Sequence, residues 1–351
     1  MGNQEILIKA LGENRTTRDE SLAHHTTLGI GGRADIFFLA EDSGELIRAM
    51  RLAKNLGINA TVIGGGSNVL VGDGGIRGLV VKNTSKRIAT GSKRKKAEAY
   101  RGEAVEARWQ ADSRLGNLKY DFKDLDYDEW DEERIEVVLD SGVNLQGAMW
   151  KLLDMGITGL QWYARIPGTL GGAVYNNIHG GTHTMNEVVE RVVVLDKDGE
   201  IRTISGSDLA LGYDDSRFHH SGEVIVEVVM DLFLGDKERA EAVAREWAKR
   251  KSIQPFNSAG CVFKNISDID KERLGLPTTS VGYIIEQVLK MGGYKVGGAK
   301  VSTAHHNFIV NEGDAKASDY LAVKNEIMRR AKEELGLELE EEIVMMGEFK
   351  E

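Results

Sequence analysis

Three glycine-dense loops do most to restrict the folds open to this chain. Gly64-Gly65-Gly66-Ser67-Asn68 follows a short apolar run at 61–63. Ile166-Pro167-Gly168-Thr169-Leu170-Gly171-Gly172-Ala173 lies about 100 residues on, and Leu28-Gly29-Ile30-Gly31-Gly32 lies near the start. Consecutive glycines let successive backbone N–H groups point one way, a nest that can hold a pyrophosphate. Ser67 and Asn68 add side-chain donors. The first loop is neither a strand-then-helix Gly-x-Gly-x-x-Gly nor a P-loop, since no Lys-Ser/Thr follows it. A plain tight turn is the other reading of that loop alone. Three such loops together suggest a long ligand threaded between two units. The 41 glycines are clustered and the prolines number only 3, which excludes collagen-like and low-complexity chains.

The segments between the loops read as a mixed α+β chain. The 43–57 stretch has Leu46, Met50 and Ala53 on one helix face, with Ser43 to cap it and Gly57 to stop it. A strand is expected over 134–143 and a helix over 144–155, ended by Gly156. Residues 190–205 form a hairpin candidate turning at Asp198-Gly199, and 223–234 reads as a further strand. A charged helix over 237–250, with Ala240, Val243 and Trp247 on one face, looks like a linker between two units. The last helix, near 318–335, lines up Tyr320, Val323, Ile327, Ala331 and Leu335 and ends at Gly336. Residues 84–133 differ. A basic run, Lys93 to Lys96, and an acidic run over 121–133 are interleaved with Tyr100, Trp109, Tyr120, Phe122, Tyr127 and Trp130. This reads as a solvated insertion folded as an extra hairpin, with a partner-docking surface as the alternative.

Charge and composition then remove whole classes of function. Lys+Arg 45 against Asp+Glu 55 leaves −10, a poor basis for gripping nucleic acid or an anionic membrane. No apolar run approaches the ~20 residues that span a bilayer, and the first residues show no signal-peptide core. A single cysteine excludes an intramolecular disulfide and a cysteine-cluster metal site. The adjacent pairs His24-His25 and His219-His220 cannot both face one ion on a regular element, so no metal is expected. A soluble cytoplasmic protein is the expectation, with a monomer as the default.

Six segments, in order, carry a resemblance. HTTLGIGGRAD (25–35), VIGGGSNVLVGDGGIRGLVV (62–81), IPGTLGGAVYNN (166–177), SAGCVFKN (258–265), GGAKVSTAHHNFIVNEGDAKASD (297–319) and LELEEEIVMMGE (337–348) resemble the UDP-N-acetylenolpyruvoylglucosamine reductases. The likeness covers roughly 21–83 and 134–349. It implies the FAD-binding fold of the vanillyl-alcohol-oxidase type (two α+β subdomains) plus a C-terminal α+β substrate domain. The FAD-binding region would be 1–235, with subdomains about 1–83 and 84–235, and the substrate domain 236–351, its last residues free to return to the FAD region. FAD would be held by Gly31, Gly32, Gly64, Gly65, Gly66, Ser67, Asn68, Ile166, Pro167, Gly168, Thr169, Gly171, Gly172 and Ala173. NADPH would reduce the flavin, which passes hydride to the β-carbon of the UDP-sugar's enolpyruvyl ether. With no separate Rossmann fingerprint, NADPH is expected to visit the substrate cleft in turn, giving ping-pong kinetics.

Carried over by motif, the proton donor to the α-carbon is Cys261, where the family has serine, and the stabilising glutamate is Glu342. A thiol, of reference pKa about 8.5, gives up a proton near neutrality far more readily than an aliphatic hydroxyl. Tyr213, Lys264, Asn265 and His305 follow as substrate-binding groups. The short spacing from Gly212-Tyr213 to Cys261 resembles the shorter branch of the family, which lacks an extra loop over the substrate. The chain departs from the pattern at one place. The family reads Gly-Tyr-Arg-x-Ser, whose arginine stabilises the enolic intermediate, and here Asp214 stands at that position in Gly212-Tyr213-Asp214-Asp215-Ser216-Arg217. A carboxylate cannot do that work. Arg217, one helical turn on, is expected to supply the guanidinium, with Asp214 pairing with it; Arg165 is the second choice. The competing readings are a protein that binds FAD and a sugar nucleotide without reducing it, a flavin-free binding module, and an alcohol oxidase of the related flavoprotein class.

Overall fold

The computed structural model describes residues 2–94, 112–115, 118–121 and 125–349. A first sheet has the strand order Thr16–Ser21, Arg33–Ala40, Ile76–Asn83, Ala60–Ile63; its first pair is antiparallel and the others are parallel. The two outer parallel strands need a crossover, which helix Ser43–Asn55 supplies by burying Leu46, Ala49 and Ala53 on the sheet. Its cap is Asp42, whose Oδ1 accepts from Glu45 N at 2.8 Å, one residue earlier than the expected Ser43.

A second sheet is wholly antiparallel, ordered Ile201–Ser205, Val189–Leu195, Val224–Phe233, Arg134–Asp140, Ile88–Arg94. The hairpin expected over 190–205 forms, with Gly199 at φ 84° in its turn. Helices Leu145–Asp154 and Lys237–Arg250 pack on this sheet. The second of these is therefore no linker: Ala240, Val243, Ala244 and Trp247 are buried in the core beneath it.

The expectation for 84–133 holds for an extra hairpin and needs correction on either side of it. Ile88–Arg94 is an edge strand of the second sheet, and the hairpin Asp112–Leu115/Leu118–Asp121 follows it. Tyr127 then packs against Trp162, and Trp130 meets Phe233 edge-on. Glu129 is buried and accepts from Thr158 Oγ1 and Gln161 Nε2. These last aromatics serve the core and not a docking face, because a mostly polar segment stays in place only when its few apolar groups find one. Tyr100, Trp109, Phe122 and the end of the basic run lie outside the described residues.

The C-terminal part packs helix Ala317–Leu335 on the small sheet Lys295–Val296, Ala299–Val301, Ile309–Asn311. Leu28, Ile30 and Leu70, from the first unit, belong to the same core. The chain then returns: Val344–Met346 pairs in parallel with Val69–Val71. No helix among the described residues is long and apolar enough to cross a membrane.

Asp73 ties these parts together. Its carboxylate accepts from Ala317 N at 2.8 Å and Ser318 N at 3.0 Å, so the last long helix is capped by a side chain 244 positions away. Those helix N–H groups hold the Asp73 carboxyl below its ordinary range, although burial opposes them. Replacing Asp73 by Ala should cost about 1 kcal/mol and lower the melting temperature by about 2 °C. Asp73→Asn, which keeps one acceptor, should lose less. Equal melting of Asp73→Ala and the parent protein in calorimetry would contradict this.

Candidate active site

The glycine loops at 64–68 and 166–173 meet face to face. A Cβ on Gly65 would stand 2.6 Å from Gly168 Cα, and one on Gly66, at φ 67°, would overlap the His25 carbonyl. Side chains are excluded there because two backbones touch. Ser67 Oγ donates to Pro167 O at 3.0 Å, and Leu170 N and Gly171 N are held by Val143 O and Ser141 O, each at 2.8 Å. The Gly171 amide is thus spent on anchoring its own loop. Along this seam runs a cavity of about 1210 Å³, larger than the ~300–1,000 Å³ usual for a single small ligand. Both loops line it, together with residues of the C-terminal part.

Gly31 and Gly32 do not line it, which corrects their assignment to the ligand. Gly32 N donates to Gly72 O at 3.1 Å, and a Cβ there would stand 2.5 Å from Asp73 O. The pair lets the early loop lie against the 72–75 turn.

Four side chains expected to act in chemistry or substrate binding open into one end of the cavity: Cys261, Glu342, Tyr213 and Asn265. Val262 O accepts from Glu342 N at 2.9 Å, and Phe263 bridges Glu341, so Cys261 and Glu342 sit on adjacent chain segments. Burial, then the charge of Asp214, pushes the Glu342 carboxyl well above its ordinary range, against a smaller pull from Lys264. Burial, then Glu342 and Asp214, likewise pushes the Cys261 thiol well up. The sequence alone suggested a thiol of ordinary acidity; in the fold it stays firmly protonated. His305 lines the cavity too, as a neutral imidazole, its pKa pushed down to about 3 by burial and by His306. Its Nδ1 accepts from Asn307 N at 3.3 Å.

Lys264 stands behind this wall. Its Nζ donates to Tyr213 O at 3.3 Å, and it is absent from the cavity lining, so it positions Tyr213.

Arg217 is placed elsewhere, and the expected rescue fails. Asp214 takes a left-handed backbone conformation, φ 47°, so 214–217 is not a helical turn and the two side chains do not pair. The Arg217 guanidinium is held by both carboxylate oxygens of Glu223, at 3.0 and 3.1 Å, and by Asp208 O at 3.0 Å. It does not line the cavity. Arg165 does line it, but its Nε and Nη2 donate to the carbonyls of Lys251 and Ser252.

Two basic side chains on the wall escaped sequence reasoning. Lys251 lies with its ammonium 4.7 Å over the Trp247 ring, and burial lowers its pKa to about 8. The motif signal nearby begins only at Ser258, so nothing in the charged 237–251 stretch singled it out. His179 pairs through Nδ1 with Asp214 Oδ1 at 3.3 Å, and both line the cavity. A lone histidine beyond the glycine loop gave no signal, whereas the adjacent histidine pairs did.

Comparison with known proteins accords with this geometry. A family model described as UDP-N-acetylenolpyruvoylglucosamine reductase, C-terminal domain, matches residues 253–346, and an FAD binding domain model matches 111–205. The UDP-N-acetylenolpyruvoylglucosamine reductase of Halalkalibacterium halodurans is 31% identical over 97% of both chains. That of Heliobacterium modesticaldum is 33% identical over 94% of this chain and 90% of its own. This chain belongs to the UDP-N-acetylenolpyruvoylglucosamine reductase family. The crystal structure of the reductase from Thermus caldophilus, at 28% identity, superposes with a TM-score of 0.65 over 94% of this chain and 97% of that one. The architecture of this family member is thus an FAD-binding fold joined to a reductase C-terminal domain.

Because its guanidinium is spent on Glu223, Arg217→Ala should lower stability by about 1–3 kcal/mol. Turnover should stay within about threefold of the parent protein. A drop of two orders of magnitude in kcat, with the variant still folded, would restore Arg217 to the chemistry.

Proposed function

We propose that this chain reduces UDP-N-acetylenolpyruvoylglucosamine to UDP-N-acetylmuramate with electrons from NADPH, a step in making peptidoglycan precursors. The observation that carries the reading is Cys261 and Glu342 side by side at one end of a cavity whose other walls are the paired glycine loops. The loops fit FAD: their closeness leaves backbone, not side chains, facing the cavity between 64 and 68 and between 166 and 173. Residues Gly64 to Asn68 and Ile166 to Ala173 would hold it. Bound there, FAD would supply the hydride chemistry that links NADPH to the β-carbon of the enolpyruvyl ether.

The rest falls to the protein. As hydride adds to the β-carbon, the double-bond electrons move into the carboxylate, giving an enolate. Glu342, kept protonated by burial and by Asp214, donates a hydrogen bond to an enolate oxygen. Cys261 gives its S–H proton to the α-carbon and recovers one from solvent afterwards. Its high pKa keeps the donor loaded, and a carbon base as strong as an enolate still takes the proton downhill. Asn265 and Tyr213 line the same end and would contact the sugar nucleotide. With this reading go a monomer and a reaction in the cytoplasm, the compartment in which sugar-nucleotide precursors are handled.

The reading predicts a yellow protein carrying one FAD. Cys261→Ala should still be reduced by NADPH, with reoxidation of its flavin by the substrate slowed about 10²–10⁴-fold. Cys261→Ser should keep measurable turnover. A colourless protein that takes up no added FAD would sink the reading, and loss of both half-reactions in Cys261→Ala would make the residue structural.

Lys251 adds a pH dependence. It is cationic below its pKa of about 8 and neutral above. If its charge helps hold the diphosphate, KM for the sugar nucleotide should rise as the pH passes 8. Lys251→Arg should extend the plateau upward, because guanidinium stays charged. A KM that is flat across pH 7–9 would remove Lys251 from substrate binding.

A further inference from the structure

The reacting end of the cavity is acidic, and that poses a charge problem. Asp214 opens into it beside the protonated Glu342, and the substrate proposed above brings a carboxylate that gains further charge when the enolate forms. Hydride addition there is slow unless a cation or strong donor meets the developing charge. The nearby basic groups can be taken in turn. Arg217 is bound to Glu223 and lies off the wall. Arg165 is docked on the carbonyls of Lys251 and Ser252. Lys264 is behind the wall on Tyr213 O, and Lys251 sits over Trp247. His305 is a neutral imidazole.

His179 is left. Its ring stacks on Tyr213 with centroids 5.6 Å apart and an interplanar angle of 24°, and its Nδ1 faces Asp214 Oδ1 at 3.3 Å. Asp214 is only 8% exposed, and its other oxygen, Oδ2, has no hydrogen-bond partner among the described residues. A buried carboxylate with one oxygen unsatisfied is stable only if something nearby compensates its charge. The His179 ring faces it, and this pairing fixes which ring nitrogen points away from the carboxylate. A buried aspartate orients a histidine in the same way in acyl-transfer enzymes. Nδ1 faces Asp214. Nε2–H, for which no partner is recorded among the described residues, is the donor left for the cavity.

We propose that His179, oriented by Asp214, is the hydrogen-bond donor that stabilises the enolate in this chain. The inference rests on the reductase reading above. When hydride reaches the β-carbon and the double-bond electrons move into the carboxylate, the His179 Nε2–H hydrogen-bonds an enolate oxygen and keeps its proton. Cys261 then protonates the α-carbon. No electron or proton is needed beyond the hydride from NADPH and the thiol proton. His179 is the catalytic residue of the pair, and Asp214 is its positioning residue.

The test separates the two half-reactions by stopped flow on the FAD-loaded protein, reading flavin absorbance. In His179→Gln, reduction by NADPH should stay within about threefold of the parent protein. Reoxidation of the reduced protein by the enolpyruvyl sugar nucleotide should slow about 10²–10³-fold. Its affinity for the oxidised protein, measured by calorimetry, should weaken less than tenfold, so the loss falls on kcat and not on KM. His179→Lys, which places an N–H donor there with a positive charge, should recover at least tenfold over His179→Gln. Asp214→Asn should slow reoxidation about tenfold and leave FAD content unchanged. Reoxidation at the parent rate in His179→Gln overturns the assignment, and so does a His179→Lys variant that binds FAD yet is as slow as His179→Gln. If the parent protein, reduced and FAD-loaded, is not reoxidised by this substrate at all, the reductase reading falls and takes this inference with it. That outcome is distinct from a fast parent protein with an equally fast His179→Gln.

Discussion

The parallel pairing of Val344–Met346 with Val69–Val71 is the contact on which the site depends. It brings the end of the chain to the first glycine loop, where Val344 N donates to Asn68 O at 3.0 Å and Asn68 Nδ2 donates to Glu342 O at 3.1 Å. Glu342 is thereby fixed beside the loop proposed to hold the flavin and beside Cys261, two neighbours far apart in sequence. Gly72 N and Gly74 N extend the stitch to Met346 O and Glu348 O, each at 2.9 Å. The C-terminal core closes over the same region by recruiting Leu28, Ile30 and Leu70. A cavity built from three stretches of one chain stays open only if each stretch is anchored by its own backbone, and here each is.

Acid–base character in the cavity follows from that convergence. Glu342 and Cys261 are pushed towards their neutral forms because burial removes solvent and Asp214 adds a like charge. Both end as proton-bearing groups at neutral pH, which suits a reaction that makes an enolate and then quenches it. Lys264, bonded to Tyr213 O, tempers the effect on Glu342 from behind. The same environment that makes the thiol a poor thiolate makes it a dependable store of a proton.

Much of the scaffold was legible in the sequence because it depends on local rules. The glycine loops, the 190–205 hairpin and the last helix, observed as Ala317–Leu335 with Gly336 in the left-handed conformation, each follow from residue type and spacing. The misreadings share a cause: tertiary partners that periodicity does not report. Helix Lys237–Arg250 is charged on average, yet Trp247 and three small residues bury it in the second sheet's core. Gly31 and Gly32 look like the other loops, but Gly31 lies against Val71 and the 22–23 backbone, Gly32 against the 72–75 turn, and neither lines the cavity. Tyr127 and Trp130 looked solvated among acidic residues and find core partners about 30 and 100 positions away, Trp162 and Phe233. Arg217 was expected one helical turn from Asp214, and a single positive φ at 214 removes that geometry.

That positive φ also bears on why an aspartate can stand where the resemblance implies an arginine. A left-handed backbone is strained for most side chains and comparatively tolerable for Asp and Asn, whose short polar groups bond locally. Asp214 sits at φ 47° in a tight turn closed by Gly212 N on Asp215 O at 3.0 Å, and Asn177 Nδ2 holds Gly212 O at 2.7 Å from outside. The short side chain meets the His179 ring and brings no positive charge of its own to this end. Asn177 and His179 lie two residues apart, just past the second glycine loop. The stretch that clamps the 212–215 turn therefore also delivers the imidazole that meets its carboxylate. Turn and histidine are one unit: moving either displaces both the Asp214 carboxylate and the ring that faces it. An arginine placed at 214 alone would meet the strained φ and the His179 ring together, and would need both to change before it could point at substrate.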